Sequence, residues 1–306
     1  MIKKIVATIA LLLVVGFGVI TIAKNNSTTT DATKLQVAAS YYPLYDFASQ
    51  VGGNKVQITN LTPAGAEPHD FEPTAKNLAD TQKAAVFVYN GGTLEPWAGK
   101  FVQSYKGVSV KASDHIALKD SQEQMSAAAG KATDPHFWLD PVLAQQIVLN
   151  IRDGLSKADP ANAAYYAKNA RDYNQKLVQL DHDYQVGLQN CQQRTIVTSH
   201  QSHGYVAARY NLTIEAIAGL SPEEEPSAAR LAQLTQEVKD KNIHYIFFES
   251  LVSPRLADTI ASETGAKTLV LDPIEGLSDA AQKQGKNYLS IQRDNLGSLR
   301  LALACQ

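Results

Sequence analysis

Residues 160–190, PANAAYYAKNARDYNQKLVQLDHDYQVGLQN, contain no proline after Pro160 and no glycine before Gly187. Within them Tyr166, Ala170, Tyr173, Leu177, Leu180, Tyr184 and Leu188 recur at steps of three and four, which lines one face of a helix. A helix of about 30 residues is about 45 Å long at 1.5 Å per residue. An element of that length crosses a whole domain-sized body and acts as a stiff connector rather than a hinge. The chain on either side of it must therefore fold as two separate halves.

Each half alternates strand and helix signals. LQVAAS, KVQITNL, AAVFVYN and GVSVKAS read as strands before the long helix, with PLYDFASQVGG and PTAKNLADTQ as helices between them. After it, RTIVTSH, LTIEAIAG, IHYIFFES and AKTLVLDP read as strands. SAARLAQLTQEVKDKN, SPRLADTIASETGA and NYLSIQRDNLGSLRLALA read as helices. Ser253-Pro254 suits a helix start, and Gly265 a helix stop. Alternation of this kind predicts an α/β fold of two lobes, each with a central, mostly parallel sheet flanked by helices. With 306 residues, 44% of them hydrophobic, both lobes can bury a core. The expected boundaries are an N-terminal signal or anchor and tether over 1–33, a first lobe over 34–159, the linking helix over 160–190 and a second lobe over 191–306.

The N-terminal run IVATIALLLVVGFGVITIA has no charge over 19 residues and follows Lys3 and Lys4. It is longer than the apolar region of a cleaved signal, about 7–15 residues, and fits a membrane anchor with the body of the protein outside. A net charge of −2, from 28 basic and 30 acidic residues of mixed order, provides no basic face for nucleic acid. Two cysteines, Cys191 and Cys305, stand in neither a CxxC nor a zinc-ribbon spacing, and in an oxidising compartment they can pair.

Ligands of open parallel α/β sheets bind beyond the carboxyl ends of the strands. His69 follows the strand VQITNL through a loop rich in Pro and Gly, His136 lies in DPHFWLDP, and His200 ends TIVTSH. Asp272 and Glu275 follow TLVL, so each lobe contributes two candidates at strand ends. Glu249, ending IFFES, suits an outer carboxylate as well as a ligand. His203 stands beside the site, while His182, His115 and His244 fall outside the pattern.

The blocks EPHDFEPT, DPHFWLDP, TSHQSHGYVAARYNL, GLSPEEEPSA and LDPIEGLSDAAQKQGKNYLSIQRDNL occur in this order from residue 35 onward. With them the chain resembles the metal-specific solute-binding proteins of bacterial ABC importers, the zinc and manganese group whose lobes share a rigid helix. The resemblance implies that His69, His136 and His200 are metal ligands, and that a fourth comes from the loop of Asp272 and Glu275. Counting from the strand favours Asp272; the likeness of PIEG to a motif of zinc-binding members favours Glu275, which we prefer. Gln201 and His203 stand where family members more often carry an acidic and an aromatic residue. The stretch LKDSQEQMSAAAGKAT lacks the histidines that many zinc members carry there.

Three imidazoles and one carboxylate suit Zn²⁺, whereas Mn²⁺ prefers more oxygen. The resemblance implies capture of Zn²⁺ outside the cytoplasm and its delivery by a monomer to a membrane permease, with a manganese carrier or a metal-binding adhesin as alternatives. An exported zinc hydrolase, with Glu67, Glu72 or Glu249 as base, is a weaker one. No HExxH is present, and four protein ligands leave no position for a reactive water.

Overall fold

The computed structural model describes residues 33–120 and 133–306. The apolar run read as an anchor lies outside them, and no helix among the described residues is long and apolar enough to cross a membrane.

The first lobe is built on β1 (Leu35–Ala39), β2 (Val56–Asn60), β3 (Val86–Tyr89) and β4 (Val108–Lys111), in the order β2-β1-β3-β4. All pairings are parallel, with Leu35 opposite Val56, Val37 opposite Val86 and Val86 opposite Val108. The continuous apolar reading of VFVY reflects burial on both faces of such a sheet. Helices α1 (Tyr42–Gly52), α2 (Ala75–Thr81), α3 (Pro96–Ser104) and α4 (Pro141–Ala158) complete the lobe. The Asp140 carboxylate accepts from the backbone N–H groups of Val142 and Leu143, with Pro141 in the first turn, and together they set the start of α4.

Helix α5 (Ala163–Gly187) is the long connector, 25 residues and so about 38 Å. It is shorter than the 160–190 stretch because Pro160–Asn162 form a 3-10 turn and Leu188 is already the C-cap. Its buried face is Tyr166, Ala170, Tyr173, Leu177, Leu180 and Tyr184. Asn169 Nδ2 donates to Val51 O at 3.0 Å on the first lobe, and Tyr184 Oη donates to Gln292 Oε1 at 2.7 Å on the second. One apolar core runs from β1 and α1 through α4 and α5 to Tyr288 and Leu299. The halves are thus packed onto the helix they share.

The second lobe holds β5 (Thr195–Thr198), α6 (Gly204–Arg209), β6 (Thr213–Ala216), α7 (Ala228–Asp240), β7 (Tyr245–Phe248), α8 (Arg255–Thr264), β8 (Lys267–Val270), α9 (Asp279–Lys283) and α10 (Tyr288–Ala302). Its strands form two parallel pairs, β5-β6 and β7-β8, with β5 lying beside β7 instead of one continuous ladder. Helix α8 begins one residue later than Ser253-Pro254 suggests, with Pro254 as N-cap, and ends at Gly265 with φ +76°. Cys191 and Cys305 are disulfide-bonded, tying the chain just beyond α5 to its last residues.

Candidate metal centre

Four loops deliver side chains to one point. After β2 the chain passes through Pro63, Gly65 and Pro68, and Gly65 N donates to Leu277 O at 3.0 Å, which docks the His69 loop on the loop after β8. His136 starts the 3-10 turn Phe137–Leu139, and Asp134 Oδ1 accepts from both its backbone N (2.9 Å) and its Nδ1 (2.8 Å). His200 lies two residues past β5, and its Nδ1 donates to Glu249 Oε1 at 2.6 Å. Both Nδ1 atoms therefore carry the hydrogen, which turns the Nε2 lone pairs toward the centre.

Glu275 is presented by a constrained turn. Ile274, fully buried and β-branched, has φ +58°, a region such residues rarely enter. Asp272 enforces it: Oδ1 accepts from Ile274 N at 2.7 Å, Oδ2 accepts from Ser250 Oγ, and its backbone N donates to Asn295 Oδ1 at 2.9 Å. Trp138 of the first lobe clamps the same turn, its Nε1 donating to Pro273 O at 2.8 Å.

The Nε2 atoms of His69 and His136 stand 3.1 Å apart, and those of His136 and His200 3.2 Å apart. Glu275 Oε1 lies 3.2 Å from His69 Nε2, 3.2 Å from His136 Nε2 and 3.4 Å from His200 Nε2. A regular tetrahedron with a centre-to-ligand distance of about 2.05 Å has edges of about 3.3 Å, so these spacings are those of a tetrahedral Zn–N/O set. Lone pairs facing one another at that range repel unless a cation or protons lie between them.

The electrostatics agree. Burial works against the charge of Glu275, yet where protons take the place of an ion on the Nε2 atoms, the His200 charge and hydrogen bonds from the three imidazoles hold its carboxyl well below the usual range. Burial lowers the proton affinity of His69. In His136 and His200 burial is outweighed, by hydrogen bonds to Asp134 and Glu275 and by the Glu249 and Glu275 charges respectively, so both bases are strengthened. Two fully buried imidazoles and a third at the rim, beside an ionised carboxylate, make a strong cation trap.

The family model for zinc-uptake complex component A, periplasmic, matches residues 37–302. The chain belongs to this family. The high-affinity zinc uptake system protein ZnuA of Bacillus subtilis (strain 168) is 41% identical over 287 residues, 90% of each chain. The crystal structure of Zn(II)-bound AdcA from Streptococcus pneumoniae matches with TM-score 0.78 and 40% identity over 88% of this chain and 58% of that one. The structure of the laminin-binding protein Lmb of Streptococcus agalactiae, titled a bifunctional protein with adhesin and metal transporting activity, matches with TM-score 0.80 and 33% identity over 88% and 99% of the two chains.

Within this zinc-uptake family member, His69, His136, His200 and Glu275 are the group brought together, each offering one atom within 4.8 Å of the others. Asp272 lies outside that group, its carboxylate occupied in building the turn. His203 is the N-cap residue of α6 without a capping side-chain bond, its Nδ1 lies 2.8 Å from Ser202 Oγ, and burial, with the His200 and His136 charges, pushes it down to about 3. Glu249 orients His200, and Glu67 accepts from His69 N at 3.2 Å. Burial and the nearby Glu275 charge push the Glu67 carboxyl up to about 9. Glu72 is exposed, and His115, His182 and His244 lie outside the group. Sequence reasoning missed Asp134, although its place two residues before His136 in DPHF was a readable signal.

Proposed function

We propose that the chain captures Zn²⁺ outside the cytoplasm, between its two lobes, and delivers it to the membrane permease of an ABC importer. His69, His136, His200 and Glu275 are the ligands in this reading. The observation that carries it is the convergence of three Nε2 atoms and Glu275 Oε1 at tetrahedral-edge spacing. A set of three nitrogens and one oxygen favours zinc over manganese. With all four positions filled by protein, the site binds and does not catalyse. The lobes span about 34–159 and 191–306, the protein works as a monomer without nucleic acid, and residues 1–33 export it and hold it at the membrane.

Calorimetry on the metal-stripped protein tests the reading. One Zn²⁺ per chain, bound more tightly than Mn²⁺ and without turnover of model esters or peptides, is the expected result. Tighter Mn²⁺ binding would overturn the metal assignment, and hydrolysis would overturn the transport role. The likeness to Lmb favours one further reading, adhesion to laminin, which surface plasmon resonance on immobilised laminin tests with the zinc-loaded chain.

A further inference from the structure

At one point beside the site the second lobe takes hold of the first. Tyr205, in the first turn of α6 and buried, donates its phenolic hydrogen to Asp134 O at 2.9 Å and accepts from Lys119 N at 2.9 Å. Its neighbour Gly204 presses on the same residue: a Cβ there would lie 2.6 Å from Asp134 Oδ2. The other carboxylate oxygen of Asp134 holds His136 by backbone N and by Nδ1. Helix α6 itself starts four residues after His200. The element that follows one candidate ligand therefore grips, from the opposite lobe, the backbone of the residue whose carboxylate orients another.

The geometry points to Tyr205 as a positioning residue that makes the grip of His136 on the ion depend on the arrangement of the lobes; this rests on the zinc-capture reading above. While the lobes are together, Tyr205 and Gly204 fix Asp134, and Asp134 fixes the His136 ring with Nε2 facing inward. When the lobes part, the phenol leaves Asp134, the His136 ring loses its orienting acceptor, and one of four bonds to the ion weakens first. Release is thereby tied to a movement that a docked permease can impose, without any change in the ligands themselves.

The test uses the full chain and three variants. Tyr205→Phe removes the hydroxyl alone. Gly204→Ala keeps the hydroxyl but pushes on Asp134. Tyr210→Phe is the control, since its hydroxyl donates to Asp181 Oδ1 at 2.9 Å, away from the ligands. Zinc loss is followed by rapid mixing with excess chelator, ligand geometry by the visible d–d band of the Co²⁺-loaded protein, and folding by the metal-free Tm. The expected result is about tenfold faster zinc loss and an altered Co²⁺ band for Tyr205→Phe and Gly204→Ala, the scale set by loss of an orienting partner. Tyr210→Phe should keep the parent rate and band. The inference is overturned if the two test variants match Tyr210→Phe, or if zinc loss in all three merely follows the drop in metal-free Tm. Failure of the unmodified chain to take up zinc would instead overturn the zinc-capture reading.

Discussion

His136 and His182 each have an aspartate close by in sequence, yet their surroundings part them. His136 is fully buried, with Nδ1 on Asp134 and Nε2 facing two imidazoles and Glu275, while His182 is exposed on α5 between Asp181 and Asp183. His136→Ala should lower zinc affinity by more than the roughly 10–100-fold that loss of an orienting partner costs. His182→Ala should leave it unchanged, both read by competition with a chelating dye. The pH dependence has a definite sign. Protons and metal compete for Nε2, and the strengthened bases His136 and His200 hold protons to higher pH than an ordinary imidazole. Zinc affinity should therefore start to fall above about pH 6.5 as pH drops, and proton release should accompany binding. Calorimetry at pH 5.5 to 8 in two buffers of different ionisation enthalpy measures both, and flat affinity over that range would sink the three-histidine site. His69 and His200 were legible because each follows a strand of an α/β pattern, and His136 through the resemblance carried by DPHFWLDP. The choice between Asp272 and Glu275 was not, since three residues of loop give no direction; the left-handed Ile274 does.

At the scale of elements, α5 carries the clearest relation between sequence and structure. Six apolar positions read at helical spacing are its buried face. Leu177 is fully enclosed there, so Leu177→Ala should cost about 3 kcal/mol of stability through lost burial and the cavity left behind. Denaturant unfolding measures the loss, and zinc affinity of the folded variant should match the parent, because Leu177 belongs to the apolar core and not to the metal group. All eight strand segments carry a strand in the structure. Helices α3 and α9 were not legible. At 5 residues α9 offers too few turns for a period to emerge, and α3 starts with Pro96 and contains Gly99.

Across the whole molecule, the candidate ligands join what the chain separates by 206 residues, from His69 to Glu275. A cation bound there links both lobes only in the folded state, so it should stabilise the fold by about 4 kcal/mol at free zinc a thousand times its Kd. Calorimetric scans of the metal-stripped chain, with and without Zn²⁺, should show a rise in Tm that excess chelator reverses. Mn²⁺ at equal concentration should raise it less. The disulfide adds a second constraint: Cys191 and Cys305 are 114 residues apart, and closing a loop of that order stabilises by about 4–5 kcal/mol in the chain-entropy view.

Periodicity determined the alternating elements and the long helix, because these depend on spacing along the chain, while residue chemistry together with the family resemblance narrowed the candidate metal ligands to His69, His136, His200 and one of Asp272 and Glu275. Three matters awaited the packed molecule. They are the docking of the His69 loop on the Glu275 loop, the turn that swings Asp272 into the backbone and Glu275 into the centre, and the union of Cys191 with Cys305. Each is a contact between segments far apart in sequence, and only burial of the shared core brings such segments within reach of one another.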